Sequence, residues 1–324
     1  MSKDVQAVLA GFDDYGHHDD EFEIAVLNGL ARNPKKISSK YFYDAHGSKL
    51  FEEICELDEY YITRTELALL RACADEIAAI VGPKAAMIEF GSGASLKERI
   101  LLDALEEPAV YVPVDISKDH LMAAAAALAQ DYPDLAVHGV CADYTRAFDL
   151  PEIAARGHRI GFFPGSTIGN FLPDEAAEFL RKAAATLGSG AGMVVGVDLK
   201  KDPRILHAAY NDAKGVTAAF NKNLLARINR ELGGDIDLDA FAHVARYDAP
   251  GGYIEMRLRS EKDQTVQVAG RSFDFKQGET IHTEYSCKYD VEEFQALAMS
   301  AGMSPHRCWV DDDQLFSIHY LIAE

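Results

Sequence analysis

The sequence predicts an α/β protein whose core is a doubly wound, Rossmann-like sheet, accompanied by a second domain of the α+β class. Between residues 85 and 200, short apolar runs alternate with helical patterns, as in a parallel sheet covered by helices. Polar residues follow the ends of those runs, at the edge where such sheets bind ligands. After residue 200 the alternation stops and strand patterns follow one another directly, which indicates an antiparallel sheet.

The first sixty residues contain helical patterns on both sides of an aromatic loop that includes Tyr43. Residues 22–32 show apolar side chains at helical spacing before that loop. Beyond it, Thr63 and Glu66 match a Thr-x-x-Glu capping box. We therefore predict that a long helix begins at this box and continues to about residue 80.

A strand-to-helix turn marked by Gly91 and Gly93 organises the predicted core. The apolar run 85–90 precedes these glycines, and a helical pattern over 95–106 follows them. Glycines let the backbone approach a ligand closely, and the free N–H groups of a helix start favour a polar or anionic partner. Because Ser95 replaces the third glycine of the dinucleotide fingerprint, the glycines alone are equally consistent with a simple tight turn.

The next apolar run, 109–114, is followed directly by Asp115. This acid follows the glycines by about 20 residues, the distance at which a carboxylate commonly binds the ribose of a nucleoside cofactor. The alternative is an N-cap for a helix that begins near Ser117, although a cap does not need to close a buried strand. The glycine turn and Asp115 together favour a nucleoside-type cofactor at this edge.

Three further strands complete the predicted alternation, at 135–140, 159–164 and 192–198. Asp143 and Tyr144 follow the first of these, and an acid beside an aromatic ring suits the amine and the ring face of adenine. Asn170 closes the polar segment after the second. We expect all three side chains at the carboxyl edge of the sheet.

After residue 200, a helical stretch to about residue 232 precedes a series of strand patterns, at 241–247, 253–260, 264–268 and 280–288. A helix over 290–301 and two strands follow, over 305–311 and 316–323. The simplest topology returns these last elements to the parallel sheet. Residues 201–287 are then an insertion that packs with the N-terminal segment.

Composition excludes several classes of protein. The chain has 324 residues and a formal charge of −20, which opposes nucleic-acid binding because phosphate neutralisation needs clustered Lys and Arg. The sequence shows neither a signal peptide nor an apolar run near the roughly 20 residues that cross a bilayer.

The five cysteines lack metal-site spacing, so we expect reduced thiols and a cytoplasmic protein. His17 and His18 precede acids, but a solvated lead-in explains them better than a metal site.

Four longer segments resemble the S-adenosylmethionine-dependent, histidine-specific Nα-methyltransferases of ergothioneine biosynthesis. They are Tyr60 to Glu66, Gly165 to Asn170, Gly215 to Asn221 and Thr283 to Lys288. The similarity extends from about residue 30 to the end of the chain. It implies a class I methyltransferase core at 65–200 and 288–324, whose last strand runs antiparallel, and a substrate-binding domain at 1–64 and 201–287.

The same resemblance implies the residues of the site. The cofactor, S-adenosylmethionine, would be bound by Gly91, Lys97, Asp115, Asp143 and Tyr144. The amino and carboxylate groups of the substrate would be bound by Asn170 and Tyr210. The imidazole would be bound by Tyr60, Met256, Glu284 and Ser286, and we also predict that Tyr285 binds the substrate.

The residue types agree with an imidazole substrate. A carboxylate at Glu284 and a hydroxyl at Ser286, two residues apart on one strand face, can pair with both ring nitrogens. A solvated strand face fits this spacing equally. Asn170 would aim the amine, because positioning dominates transfer from a sulfonium. Tyr43 is a candidate to take the amine proton through water, although a packing role fits it as well.

The activity implied is successive methylation of the α-amino group of L-histidine, which gives the trimethylated betaine hercynine. The alternatives are an N-methyltransferase of another amino acid or amine, an NAD-dependent oxidoreductase and a non-catalytic nucleoside-binding regulator. Ser95 weakens the oxidoreductase hypothesis. We expect a small-molecule substrate, no nucleic-acid or membrane partner, and a monomer.

Overall fold

The computed structural model describes residues 8–16, 21–93 and 96–324. In chain order its strands are β1 (Gly11–Asp14), β2 (Lys35–Lys36), β3 (Ala85–Phe90), β4 (Val110–Asp115), β5 (Ala136–Cys141), β6 (His158–Phe163), β7 (Gly192–Asp198), β8 (Phe241–Asp248), β9 (Tyr253–Ser260), β10 (Gln264–Val268), β11 (Arg271–Phe275), β12 (Thr280–Cys287), β13 (Met303–Val310) and β14 (Phe316–Ala323). The predictions for His17, His18 and Ser95 lie outside the described residues.

The helices, again in chain order, are α1 (Glu21–Ala31), α2 (Ala45–Cys55), α3 (Tyr61–Val81), α4 (Lys97–Ala104), α5 (Lys118–Asp131), α6 (Pro173–Leu187), α7 (Pro203–Tyr210), α8 (Val216–Leu232) and α9 (Val291–Ser300). Short 3-10 turns occur at Ser39–Phe42, Glu152–Arg156, Thr167–Asn170 and Leu238–Ala240.

The first of two compact units, the core unit, contains residues 8–16, 62–200 and 289–324. Its sheet has the strand order β1-β5-β4-β3-β6-β7-β14-β13. The first six strands in this order, from β1 across to β7, pair in parallel, and β14 runs antiparallel to both of its neighbours. The predicted class I methyltransferase fold, including its antiparallel last strand, is confirmed.

The inner strands of this sheet are mostly apolar, because helices cover both faces of a doubly wound sheet. Every residue of β3 and β7 is buried. The chain proceeds from β3 to β4 and β5 on one side of the sheet, and adds β6 and β7 on the other. Open α/β sheets bind their ligands beside such a reversal, at the carboxyl ends of the strands.

The second compact unit, called the β8–β12 unit here, contains residues 21–61 and 201–288. It has a four-stranded sheet of order β2-β12-β9-β8 and a separate hairpin of β10 and β11. Helix α8 packs on α2 and on β8. The ring centroids of Phe42, in the 3-10 turn, and Phe220, in α8, lie 4.8 Å apart. The mixed α and β content of this unit agrees with the α+β class predicted for it.

The N-terminal strand β1 belongs to the core unit, which differs from the predicted assignment of residues 1–64 to the other domain. It pairs in parallel with β5, and the Ala10 N–H donates to the Val137 carbonyl at 2.8 Å. An edge strand such as β5 exposes unpaired backbone groups, and β1 satisfies them. The short, acidic sequence of β1 gave no period-2 signal. The hairpin strand β11 was likewise missed.

Helix α3 begins at Tyr61, so the predicted capping box at Thr63 is wrong. Thr63 lies within the helix, two residues after its start. The carboxylate of Glu66 is buried and accepts hydrogen bonds from the Gly165 N–H. The local pattern assigned Glu66 to helix capping, but the structure uses this acid in a tertiary contact within the core unit.

No described helix is both long enough and apolar enough to span a membrane. Within the same residues, no group of three or more His, Cys, Asp or Glu side chains could hold a metal ion.

Candidate active site

The glycine turn after β3 is tied to the end of β4. Gly91 has a φ of +80°, a conformation that side chains disfavour. A Cβ there would lie 3.3 Å from a ring carbon of Tyr144. The N–H groups of Gly91 and Ser92 both donate to the Val114 carbonyl, at 2.8 and 3.1 Å. No described atom lies within 4 Å of where a Cβ on Gly93 would be, so the turn presents open backbone to a ligand.

Asp115 ends β4 beside this turn. Its Oδ1 accepts the Ser117 N–H at 2.7 Å, so the capping alternative is partly realised in the loop before α5. Burial raises the pKa of the Asp115 carboxyl to about 6. A carboxylate has several acceptor positions and can receive further donors, such as the two hydroxyls of a ribose.

Asp143 and Tyr144 follow β5 at the same edge. The Thr145 N–H and hydroxyl both donate to the Asp143 Oδ1, at 3.0 and 2.5 Å. The Tyr144 ring makes edge contacts with Phe163 and Phe179, with centroids 5.7 and 5.8 Å away. Burial raises the pKa of the Tyr144 hydroxyl, so the ring stays neutral. The acid and the ring are both held in place before any ligand binds.

These groups fit the chemistry of S-adenosylmethionine. Asp115 offers acceptors to ribose hydroxyls, the Tyr144 ring offers an apolar face to adenine, and the open backbone at Gly93 admits a close approach. The three features belong to the ends of β4, β5 and β3, which are adjacent strands of one sheet.

Lys97, predicted to contact the cofactor, is engaged in a buried ion pair. Its Nζ lies 2.6 Å from the Glu66 Oε2, and the Gly165 N–H donates to both Glu66 oxygens at 2.7 and 2.9 Å. The pair connects the start of α4 to α3, and the Gly165 hydrogen bonds connect α3 to the loop after β6. Since such a pair pays desolvation on both charges, its value lies in positioning more than in stability.

Buried acids also lie under the glycine turn. The Tyr111 hydroxyl donates to the Glu89 carboxylate, and the Ser92 Oγ lies 3.4 Å from that hydroxyl. Burial, followed by the charge of Glu98, raises the pKa of Glu89 well above its usual range. Sequence analysis missed this network, because it depends on the neighbouring strand.

Asn170 ends the 3-10 turn that follows β6 and is half-buried. Ser166, at the start of this turn, has a φ of +53°, which is unusual for a residue other than glycine. Its Oγ accepts the Asp198 N–H at 3.0 Å. Strained backbone of this kind persists where surrounding contacts hold it, often at functional sites.

In the β8–β12 unit, Glu284 and Ser286 lie on one buried face of β12, and Met256 lies opposite Glu284 on β9. Burial of this face answers the question that the spacing left open, because these side chains are not solvated. Glu284 is 9% exposed. Desolvation raises the pKa of its carboxyl to about 7, although the charge of Lys288 acts in the opposite direction.

Tyr285 lies on the other face of β12, contrary to its predicted place beside Glu284 and Ser286. Its ring centroid is 5.0 Å from that of Tyr253 and 4.0 Å from that of His282. Successive side chains of a strand point to opposite faces, so the residue between two pocket residues cannot share their pocket.

Tyr210 meets the Glu284 face at its hydroxyl group. The Tyr210 hydroxyl lies 2.7 Å from the Ser286 Oγ, and the Lys288 Nζ donates to both oxygens, at 3.0 and 2.7 Å. Sequence analysis missed Lys288. The available signal was its place two residues after Ser286 on the same strand face.

The backbone of Tyr210 is held by His243. The His243 Nε2 must donate to the Tyr210 carbonyl, 2.9 Å away, since a carbonyl only accepts. The Nδ1 therefore accepts the Asn221 Nδ2, also at 2.9 Å. Desolvation lowers the pKa of His243, which agrees with a neutral ring. Asn221 belongs to one of the segments that carry the family resemblance, and this contact gives it a physical role.

Tyr43 and Tyr60 belong to one aromatic cluster with Tyr210. The ring centroids of Tyr60 and Tyr210 are 6.4 Å apart, and Phe51 lies 6.3 Å from Tyr60 and 5.6 Å from Tyr43. Burial raises the pKa of Tyr60 well above 10, so its hydroxyl is neutral. The cluster is consistent with a pocket wall, and the packing alternative for Tyr43 stays open.

Comparison with known proteins gives the chain a family. The model of the histidine-specific, SAM-dependent methyltransferases matches residues 22–323. The histidine N-alpha-methyltransferase of Mycolicibacterium smegmatis is 44% identical over 291 residues, which cover 88% of this chain and 90% of that protein. The enzyme of the same name from Mycobacterium tuberculosis is 42% identical over 292 residues, with 89% and 90% covered.

A more distant relative is the ergothioneine biosynthesis protein 1 of Neurospora crassa, which is 31% identical over 92% of this chain and 34% of its own length. The oxidoreductase alternative is therefore wrong. This chain belongs to the family of S-adenosylmethionine-dependent, histidine-specific methyltransferases.

Proposed function

We propose that this protein transfers methyl groups from S-adenosylmethionine to the α-amino group of L-histidine, successively, to give hercynine in ergothioneine biosynthesis. Relatives named histidine N-alpha-methyltransferase, 42% and 44% identical, support the substrate. The observation that carries the proposal is the buried face of β12, where a carboxylate and a hydroxyl stand two residues apart. These are the groups that an imidazole ring pairs with.

The core unit binds the cofactor. Asp115 accepts the ribose hydroxyls, Asp143 and Tyr144 receive the adenine, and Gly91 lets the turn pass beside them. When bound, S-adenosylmethionine supplies an electrophilic methyl group on a sulfonium centre. Lys97 orders this edge through its pair with Glu66.

The β8–β12 unit binds the histidine side chain. Glu284 accepts an imidazole N–H, Ser286 pairs with the other ring nitrogen, and Met256 and Tyr60 pack on the ring. Because Glu284 is buried and its pKa is raised by desolvation, a ring without an N–H leaves an unpaired buried carboxyl. Such losses discriminate between substrates far more strongly than a missing methylene does.

Asn170 and Tyr210 hold the amino and carboxylate groups. An amide oxygen on Asn170 accepts an amine N–H and so directs the amine lone pair, which contributes most where alignment matters in the transition state. The ammonium group must lose a proton before each transfer. Tyr43 is our candidate to receive it through water.

Release of S-adenosylhomocysteine tests the proposal. We expect turnover with L-histidine and a product whose mass rises by one, two and then three methyl groups. The twenty amino acids, tested in parallel, address the same-class alternative. Turnover with another amino acid and none with histidine would overturn the substrate assignment, and a product that stops at one methyl group would overturn the trimethylation.

We also infer a cytoplasmic monomer. No disulfide joins the five cysteines, all of which are among the described residues, as expected in a reducing compartment. Light scattering of the purified protein checks the monomer, and fractionation of the source cell checks the compartment.

A further inference from the structure

Lys288 is a buried lysine that follows β12, with 2% of its surface exposed. Its backbone N–H donates to the Gly252 carbonyl at 2.7 Å. Its Nζ reaches the Ser286 Oγ at 2.7 Å and the Tyr210 hydroxyl at 3.0 Å. Burying an ammonium group is costly, so the fold retains this charge at a specific place.

We propose that Lys288 is a positioning residue that adapts the β12 face to a neutral imidazole ring. This inference rests on the proposed function and adds a residue to the specificity of that site. Lys288 acts through Ser286, Tyr210 and Glu284, and it makes no contact with the reacting atoms in this scheme.

The hydrogen-bonding argument begins with the ammonium group, which has donors and no acceptor. Both hydroxyl oxygens therefore accept from Lys288, and their O–H bonds point away from Nζ. One hydrogen is used in the 2.7 Å contact between Tyr210 and Ser286. The other hydroxyl hydrogen is then directed away from Lys288. The two hydroxyl groups together therefore present one donor to a ring nitrogen that carries a lone pair.

Glu284 provides the opposite polarity on the same strand face. It is an acceptor for an N–H, and it lies four residues before Lys288. A neutral imidazole has one N–H and one lone pair on its two nitrogens. The donor hydroxyl pair of Ser286 and Tyr210 and the acceptor end at Glu284 match that ring in one tautomer, and a phenyl ring matches neither.

Charge adds a second effect. The charged group that acts on Glu284 is Lys288, and the titratable groups that act on its neighbour Tyr60 are Tyr210, Cys55, Tyr43 and Glu284 itself. Lys288 is the cation among these groups, and it opposes the rise that burial imposes on the pKa of Glu284. Removing this charge favours protonated Glu284, which no longer accepts an imidazole N–H as a carboxylate.

The test compares Lys288→Met, Lys288→Gln and Lys288→Arg with the wild type, by S-adenosylhomocysteine release between pH 6 and 9. The two neutral variants should lower kcat/KM for histidine at least about tenfold and move its acid limb upward by about one pH unit. Lys288→Arg keeps the charge, so its acid limb should stay in place. The ionisations of histidine itself are common to all four proteins and cancel in the comparison.

Two controls separate positioning from folding. Melting temperature and S-adenosylhomocysteine affinity report on the fold and on the core unit, and Lys288→Gln serves if Lys288→Met does not fold. If the neutral variants keep the wild-type pH profile and the wild-type ratio of histidine to phenylalanine turnover, the positioning role of Lys288 is overturned and the proposed function still stands. A wild type that does not turn over histidine would overturn the proposed function, and this inference with it.

Discussion

The cofactor edge of the core unit and the imidazole face of the β8–β12 unit both use an acid that is at least half-buried, but they support it differently. Asp115 accepts a backbone N–H from Ser117, two residues further along the chain. Glu284 is influenced by the side chain of Lys288, four residues further along the chain and just after β12. Burial raises the pKa of both carboxyls, to about 6 and about 7.

This difference in support, backbone for Asp115 and side chain for Glu284, decides which of the two sites a single substitution can change. A backbone donor remains whatever side chain Ser117 carries, so the ribose site tolerates changes in its surroundings. The charge near Glu284 is a side chain and can be removed by one mutation. We therefore expect the cofactor site to be robust and the imidazole face to be tunable, which suits a scaffold that binds one cofactor and discriminates among substrates.

The largest expected effect is on stability. Below pH 4.5 Glu284 is protonated in both the folded and the unfolded chain, so folding then carries no penalty for burying a charged carboxylate. As the pH rises toward about 7, only the unfolded chain loses the proton, so stability falls across this window. Glu284→Gln should therefore raise the free energy of unfolding by about 3 kcal/mol at pH 8.

Urea unfolding at pH 4.5 and pH 8 measures this effect. The variant should gain stability over the wild type at pH 8 and much less at pH 4.5. An equal difference at both values would show that the gain has nothing to do with ionisation.

The next effect is on specificity. Glu284→Ala should reduce kcat/KM for histidine by about 2–3 kcal/mol, as expected for a lost hydrogen bond to a charged group. Turnover of phenylalanine should change little, because its ring has no N–H. Tyr285→Phe is the matched control on the opposite strand face. If Tyr285→Phe has the same effect as Glu284→Ala, the assignment of the two faces of β12 is wrong.

The ribose assignment predicts a somewhat smaller loss. Asp115→Ala should weaken S-adenosylmethionine binding by about 2 kcal/mol, since charge-assisted hydrogen bonds are lost. Calorimetry measures this, with Asp119→Ala as the control because Asp119 is exposed on α5. Unchanged affinity for Asp115→Ala would remove this acid from the cofactor site.

The smallest expected effect is on turnover. Asn170→Ala should lower kcat by about tenfold with little change in KM, because alignment of the amine is most important in the transition state. Steady-state kinetics with histidine at saturating cofactor provide both constants. A raised KM with an intact kcat would show that Asn170 binds substrate without directing the transfer.

The fold, and the gathering of the candidate cofactor residues at one edge of the sheet, were largely predictable because their signals are local. Each core strand is a mostly apolar run whose end leads directly into the residues of the site, as at the glycine turn after β3 and at Asp115, which ends β4. In a parallel sheet the ends of such runs meet at one edge. Chain order alone therefore brings these residues together. The family resemblance added residue roles that spacing could not supply.

The sequence by itself determined the alternation of the core, the change of pattern after residue 200 and the shared face of Glu284 and Ser286. Only the tertiary structure decided that this face is buried, that Lys288 joins it, and that Glu66 binds Lys97 instead of capping a helix. It also placed β1 in the core sheet and Tyr285 on the outer face. The reason is physical: burial and charge pairing depend on atoms from distant parts of the chain, which local periodicity does not record.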